Sequence, residues 1–281
     1  MFSIRAMTDA DELERCVELQ MRIWDMSEAG AVPLHQLVAA VSAGGLVLGG
    51  FAPDGRLVGF TYAFPGWRRG KPLWYSHMTG VLAEHRDAGL GYRLKSAQRD
   101  AARAAGIDHI VWTYDPLQSG NARFNLGRLG AVASRYHADY YGAMIDAINR
   151  GLPSDRFEVD WFLESPRVVA RLASASRPPL GQAVAWAVTA TGPSLPSLPG
   201  PPNLEIEDAQ MLVEIPADLN NLKTAHPAAA AAWRETTRVV FLYYFARGYA
   251  ASDASRIPDP QRPRVAYLLE RTGPHPACGP A

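Results

Sequence analysis

Two glycines one residue apart, Gly89 and Gly91, stand between a short apolar run and a long amphipathic one, and this stretch constrains the chain more than any other. Met78 to Ala83 has the length and character of a buried strand, and His85, Arg86 and Asp87 end it in a polar turn. Leu90, Leu94, Ala97, Ala101 and Ala104 then recur at helical spacing, Lys95, Gln98, Arg99 and Arg103 fall on other faces, and Gly106 sits where a C-terminal cap belongs. A strand, a glycine turn and a helix in immediate succession suit an anion. Glycines let main-chain N–H donors approach it, the helix adds the positive end of its dipole, and Arg86 offers a charged donor. A tight strand-to-helix turn that holds no ligand is the other reading of the same residues.

The order Arg86-x-x-Gly89-x-Gly91 after a strand and opening a helix resembles the pyrophosphate-binding signature of the GNAT (Gcn5-related N-acetyltransferase) superfamily. The resemblance implies acetyl-coenzyme A as co-substrate. It implies that the main chain of Val81, Leu82 and Ala83 pairs with the pantetheine arm, and that Arg86, Asp87, Ala88, Gly89, Leu90, Gly91 and Tyr92 grip the pyrophosphate. A dinucleotide-binding reading fits less well, because Leu94 stands where a third glycine is required and no βαβ unit precedes it.

A length of 281 residues allows one large domain or two modest ones, and 48% apolar with 20% charged residues is ordinary globular composition. Lysine plus arginine equals aspartate plus glutamate at 28 each, so no bulk charge argues for nucleic acid or an anionic membrane as partner. Cys16 and Cys278 lie at opposite ends with no signal peptide, which argues against a disulfide framework and makes a cytoplasmic location the default. The scattered His35, His109, His137 and His226 lack the paired spacing of a metal site, so no metal is expected.

Taken in order, Phe2 to Ala6 reads as a strand, and Asp9 and Glu12 have the spacing of a capping box that opens a helix. A second helix follows Pro33, with Leu34, Leu37, Val38 and Val41 as its apolar face. Leu46 to Ala52 and Arg56 to Phe64 form a hairpin through Asp54-Gly55, and Trp67 to Lys71 reads as a polar loop. Ile107 to Tyr114 is a strand parallel to the one before the glycine turn. Phe157 to Leu163 alternates as a half-exposed strand with Glu158 and Asp160 outward. The expected fold is an α/β one, a mixed, twisted sheet of the GNAT type flanked by helices. The expected domains are a GNAT-like unit over 1–165, a Pro/Gly-rich connector over 166–203, and a C-terminal α/β extension over 204–281 that packs on the first domain. In that extension Gln210 to Ile215 is a strand, Ala228 to Ala246 a long helix, and Tyr249 to Arg256 pairs with Val265 to Glu270. Residues after Arg271 read as a loose tail.

Ser119 to Ala131 resembles the family's next motif, in which the resemblance places Asn121 and Phe124 at the cofactor. Many relatives carry a tyrosine there that protonates the leaving thiolate, and Leu126 occupies the matching position. Tyr136, Tyr140 and Tyr141 follow in what reads as a loop; Tyr141 is a substrate-side candidate. Acyl transfer to an amine needs a base and donors for the developing oxyanion. The resemblance makes His77 the first base candidate, by its distance before Arg86, with Glu84 second. An imidazole takes up a proton near neutral pH. Asp115, at the carboxyl end of its strand, suits a substrate ammonium or caps the following loop. The function implied is transfer of an acetyl group to a primary amine of a small molecule or amino acid, by a monomer or homodimer with no nucleic-acid or membrane partner. A coenzyme-A-binding sensor without catalysis, and transfer of a larger acyl group such as succinyl, are the alternatives.

Overall fold

The computed structural model describes residues 2–144, 146, 149–174, 184–192 and 196–272. They belong to two compact units that divide between Trp112 and Thr113, with Asp146 counted in the first. The first contains β1 (Ser3–Ala6), α1 (Ala10–Trp24), α2 (Leu34–Ser42), β2 (Leu46–Phe51), β3 (Leu57–Arg68), β4 (Lys71–Val81), α3 (Leu90–Ala104) and β5 (His109–Tyr114), whose last two residues fall past the division. Its strands run β1-β2-β3-β4-β5, antiparallel up to β4 and parallel between β4 and β5. Phe60 and Gly80 look toward Trp24 of α1, while Gly50 and Gly59 look toward Leu90 of α3, so the two helices cover opposite faces of the sheet. Small residues at Gly50 and Gly80 are what let the helices come so close, since a Cβ there would collide with Leu90 or Trp24, and one at Gly59 would press on Leu90. Leu90 and Leu94 are fully buried, and each contributes on the order of 1.5–3 kcal/mol by leaving water.

Asp9 caps α1, its side chain accepting from Asp11 N at 2.9 Å. The expected reciprocal partner does not form, because Glu12 turns instead to Arg5, which donates to it at 2.8 Å. On α2, Leu37 is buried but Val38 is exposed. Residues 67–71 are not a loop. β3 and β4 continue to the rung Arg68↔Lys71, and Arg69 and Gly70 turn the hairpin with φ of 49° and 74°, a pair of left-handed conformations that matches strand twist.

The second unit contains α4 (Ser119–Ala122), β6 (Val132–His137), β7 (Arg156–Phe162), α5 (Pro166–Ala173), β8 (Ala185–Val188), β9 (Ala190–Thr191), β10 (Leu198–Pro199), β11 (Gln210–Ile215), α6 (Leu219–Ala225), α7 (Pro227–Phe245), β12 (Tyr249–Ile257) and β13 (Arg264–Arg271). Its main sheet runs β7-β6-β12-β13-β11-β8, with β9 and β10 paired separately. The strands expected at 210–215, 249–256 and 265–270 are present, and the last two pair antiparallel. Tyr136 lies on β6 rather than in a loop, paired opposite Phe157. Glu158 and Asp160 are buried, not solvent-facing, since Arg135 on β6 donates to both carboxylates. At the start of the segment expected as a connector, Ser165 caps α5 and Pro166 occupies its first turn. The rest of that connector lies partly, and the tail after 272 wholly, outside the described residues.

Candidate active site

β4 leaves its neighbour early. Its ladder to β5 consists of Trp74↔Ile110 and Tyr75↔Val111, whereas its ladder to β3 continues to Gly59↔Val81. The cause is visible in the register with β3: Tyr62 faces Met78 and Ala63 faces Ser76, which leaves His77 as the extra residue of a β-bulge. A bulge bends its strand and re-aims a side chain. Among the described residues, 76–81 therefore have a strand partner on the β3 side only, and the pairing of β4 with β5 ends in a fork.

The bulge sets His77 among three rings on the α1 side of the sheet, with centroids 5.9 Å from Tyr62, 6.0 Å from Phe64 and 6.3 Å from Tyr75. These rings keep water from the imidazole, and the desolvation lowers its pKa below the ordinary histidine value. A histidine so placed is neutral near pH 7 and ready to accept a proton.

Past the fork, a single 3-10 turn over Ala83–Ala88 leads into α3. Gly89 takes φ of 75°, a left-handed conformation that suits glycine, and stands at the helix N-cap with no side chain capping it. The first helical bond runs from Arg93 N to Gly89 O, so the amides of Leu90 and Gly91 have no acceptor within the helix. A Cβ built on Gly89 or on Gly91 meets nothing within 4 Å, so the approach to these amides is open. Arg86 is exposed and donates through Nε to Val81 O at 3.2 Å, which ties the turn to the end of β4. Leu82 N donates to Val58 O at 2.9 Å, and Ala83 and Glu84 are exposed. Open first-turn amides, glycine access and a strand segment, 76–81, paired on the β3 side only fit an extended diphosphate ligand such as coenzyme A.

Behind the fork lies a group of residues that helical spacing alone assigns to the outer faces of α3. Lys95 and Gln98 are buried. Lys95 Nζ donates to Ser76 Oγ at 3.0 Å and to Gln98 Oε1 at 2.6 Å, and sits 4.0 Å from the centre of the Trp112 ring. Gln98 Nε2 donates to Thr61 Oγ1 at 3.1 Å, which is 2.7 Å from Thr79 Oγ1. Burial pushes the Lys95 ammonium down to about 7. The sequence signal that marks this network is a lysine and a glutamine three residues apart, opposite Ser76 and Thr61, which becomes legible only with the strand register in hand.

The remaining candidates belong to the second unit. Asp115 accepts from Leu117 N at 2.8 Å and from Arg234 Nη2 at 2.6 Å, so it caps its own loop and holds a buried cation. Asn121 is exposed on α4, and Phe124 is half-buried in the wide helical turn that continues it. Leu126 is fully buried. Tyr141 is exposed, with its hydroxyl 3.0 Å from Thr113 Oγ1. Among the described residues no group of three or more His, Cys, Asp or Glu side chains is arranged to hold a metal ion, and no helix is long and apolar enough to cross a membrane.

Residues 13–126 match the model of the Acetyltransferase (GNAT) family. No curated protein matches the sequence. Similar solved structures include a GNAT-family protein of Desulfovibrio desulfuricans, with 13% identity and a TM-score of 0.47, covering 58% of this chain and 99% of its own. Arabidopsis thaliana Naa50, solved with a bisubstrate analogue, is 18% identical with a TM-score of 0.46 over 57% of this chain and 97% of its own. The yncA protein of Salmonella typhimurium, solved with acetyl-CoA, is 18% identical with a TM-score of 0.46 over 59% and 97%. The matched residues 13–126 carry the bulged strand, the glycine turn and α3, and over them this chain is similar to the GNAT acetyltransferase family.

Proposed function

We propose that the chain is an acetyl-coenzyme-A-dependent N-acetyltransferase acting on a primary amine of a small molecule or amino acid. One observation carries this reading: a single strand, β4, first parts from β5 and then runs into an uncapped glycine turn with open amides. In the proposal Leu90, Gly91 and the neighbouring main chain from Arg86 to Tyr92 hold the pyrophosphate, and Val81, Leu82 and Ala83 lie along the pantetheine arm. Acetyl-coenzyme A supplies the activated acyl group. Transfer then needs an uncharged amine, and His77, kept neutral by its aromatic neighbours, takes the proton that the amine loses. Glu84, exposed at the end of the turn, is the second candidate for that step. Tyr141 is the substrate-side candidate, whereas Asp115 is already committed to Arg234 and Leu117 N. The proposal assigns 1–165 to the transferase, 166–203 to a connector and 204–281 to a C-terminal α/β extension. A cytoplasmic location belongs to the same proposal.

A coenzyme-A-binding sensor is the second reading, favoured by Leu126 at the position where many relatives carry the proton-donating tyrosine. The test is incubation of the full chain with acetyl-coenzyme A or succinyl-coenzyme A and a panel of amines that includes polyamines, aromatic amines, amino acids and short peptides. Thioester consumption that depends on one of these amines supports the transferase. Binding of coenzyme A with no turnover across the panel supports the sensor.

A further inference from the structure

Lys95 is out of place in an apolar helix face, and its surroundings tie it to the bulge. The ladder between β4 and β5 ends at Tyr75↔Val111, and the next residues along each strand are Ser76 and Trp112. Lys95 Nζ touches both, donating to Ser76 Oγ at 3.0 Å and resting 4.0 Å from the Trp112 ring centre, so its nitrogen sits in the crotch of the fork. Ser76 is the last residue in register with β3 before the extra residue His77. From Lys95 the hydrogen bonds continue through Gln98 and Thr61 to Thr79, so residues on both sides of the bulge are tied to one buried network. We propose that Lys95 is a positioning residue for the transfer reaction: it anchors Ser76 and Trp112 at the parting of β4 and β5, and thereby sets the bulge that presents His77. This inference rests on the transferase reading for its catalytic consequence, although the link from Lys95 to His77 stands on geometry alone.

Burying a lysine costs stability unless its polar contacts offset the loss of water. A lysine kept only for packing would be replaced by methionine with no loss of function, since methionine fills a similar volume and needs no partners. A lysine that sets the bulge would not. Without its nitrogen, Ser76 Oγ and Gln98 Oε1 keep only the contact between them at 3.1 Å, and the bulge loses one of the two side chains that tether Ser76 to α3. Small misplacements of a catalytic group cost up to about 10²-fold in rate.

The experiment compares the wild-type chain with Lys95→Met and Ser76→Ala, using acetyl-coenzyme A and the panel amine that is turned over fastest. Both variants should melt cooperatively, bind acetyl-coenzyme A with an affinity close to wild type, and lose roughly tenfold or more in kcat. The second readout is the His77 ring signal in a proton–carbon NMR titration, assigned by its absence in His77→Ala. The signal should move, and its titration midpoint should shift, in both variants. Wild-type kcat together with an unmoved His77 titration in Lys95→Met overturns the proposal. A wild-type chain that binds no coenzyme A and turns over no amine defeats the transferase reading instead. In that event the NMR arm still decides whether Lys95 sets the bulge, with an unmoved His77 signal overturning it and a moved one supporting it. Should Lys95→Met fail to melt cooperatively, Ser76→Ala decides the same question by the same two readouts.

Discussion

Lys95 Nζ lies 3.0 Å from Ser76 Oγ, and Ser76 is the residue immediately before the bulge at His77. A helix side chain thus reaches the sheet at the place where two parallel strands separate, and the same helix opens on a first turn that no side chain caps. In the proposed reading, cofactor grip and catalytic geometry therefore share one helix.

Replacing Gly89 with valine puts a β-branched residue into a conformation with φ of 75° and a Cβ into the open approach to the first-turn amides. The backbone strain is on the order of 1–3 kcal/mol, which a folded domain can absorb. Coenzyme A affinity should fall steeply while the melting transition stays cooperative. Titration calorimetry beside a thermal melt checks both, and an unchanged affinity removes the turn from the account.

His77→Ala should lower kcat by about 10²-fold or more while leaving the affinity for acetyl-coenzyme A near wild type. The pH–rate curve of the wild type should have an acid limb below the ordinary histidine range, because the neighbouring rings lower the His77 pKa. The limb should disappear in the variant. A curve of unaltered shape would exclude this residue as the base.

Lys95 also makes stability depend on pH, in a direction fixed by its lowered value of about 7. The unfolded chain keeps the ordinary lysine pKa of about 10.4. Below about pH 7 both states hold the proton and this residue adds no slope. Between about 7 and about 10.4 the unfolded state binds more protons, so stability should rise with pH. Chemical denaturation across that interval should give a climb in the wild type that Lys95→Met lacks.

In the second unit, Arg234 is 1% exposed and donates to Asp115 at 2.6 Å. Removing the cation alone, as in Arg234→Met, strands a largely buried carboxylate and should cost about 3–5 kcal/mol. Adding Asp115→Asn should recover part of the loss. Urea unfolding of the single and double variants measures it, and equal stability of wild type and Arg234→Met would show the pair to be dispensable.

Much of this was legible in the sequence for local reasons. Gly89 and Gly91 between a strand and an amphipathic helix, Asp54-Gly55 between two β runs, and the β11 and β13 segments are all set by residues a few positions apart. What stayed hidden depends on register. His77 is ordinary in sequence, and only the pairing of Ala63 with Ser76 makes it a bulge. Lys95, Gln98, Glu158 and Asp160 read as outward residues because charge and polarity argue for solvent, yet each is buried with polar partners supplied by a neighbouring element or strand. β6 escaped notice because Arg135 and His137 interrupt its apolar pattern.

The most direct test is a titration of the full chain, labelled with nitrogen-15, with acetyl-coenzyme A, followed through its backbone amide signals. The account predicts saturable shifts that are largest at Gly89, Leu90 and Gly91, with a second group along 76–83 where β4 stands apart from β5. Saturable shifts confined to other segments, or none at any ratio of ligand to protein, would contradict it.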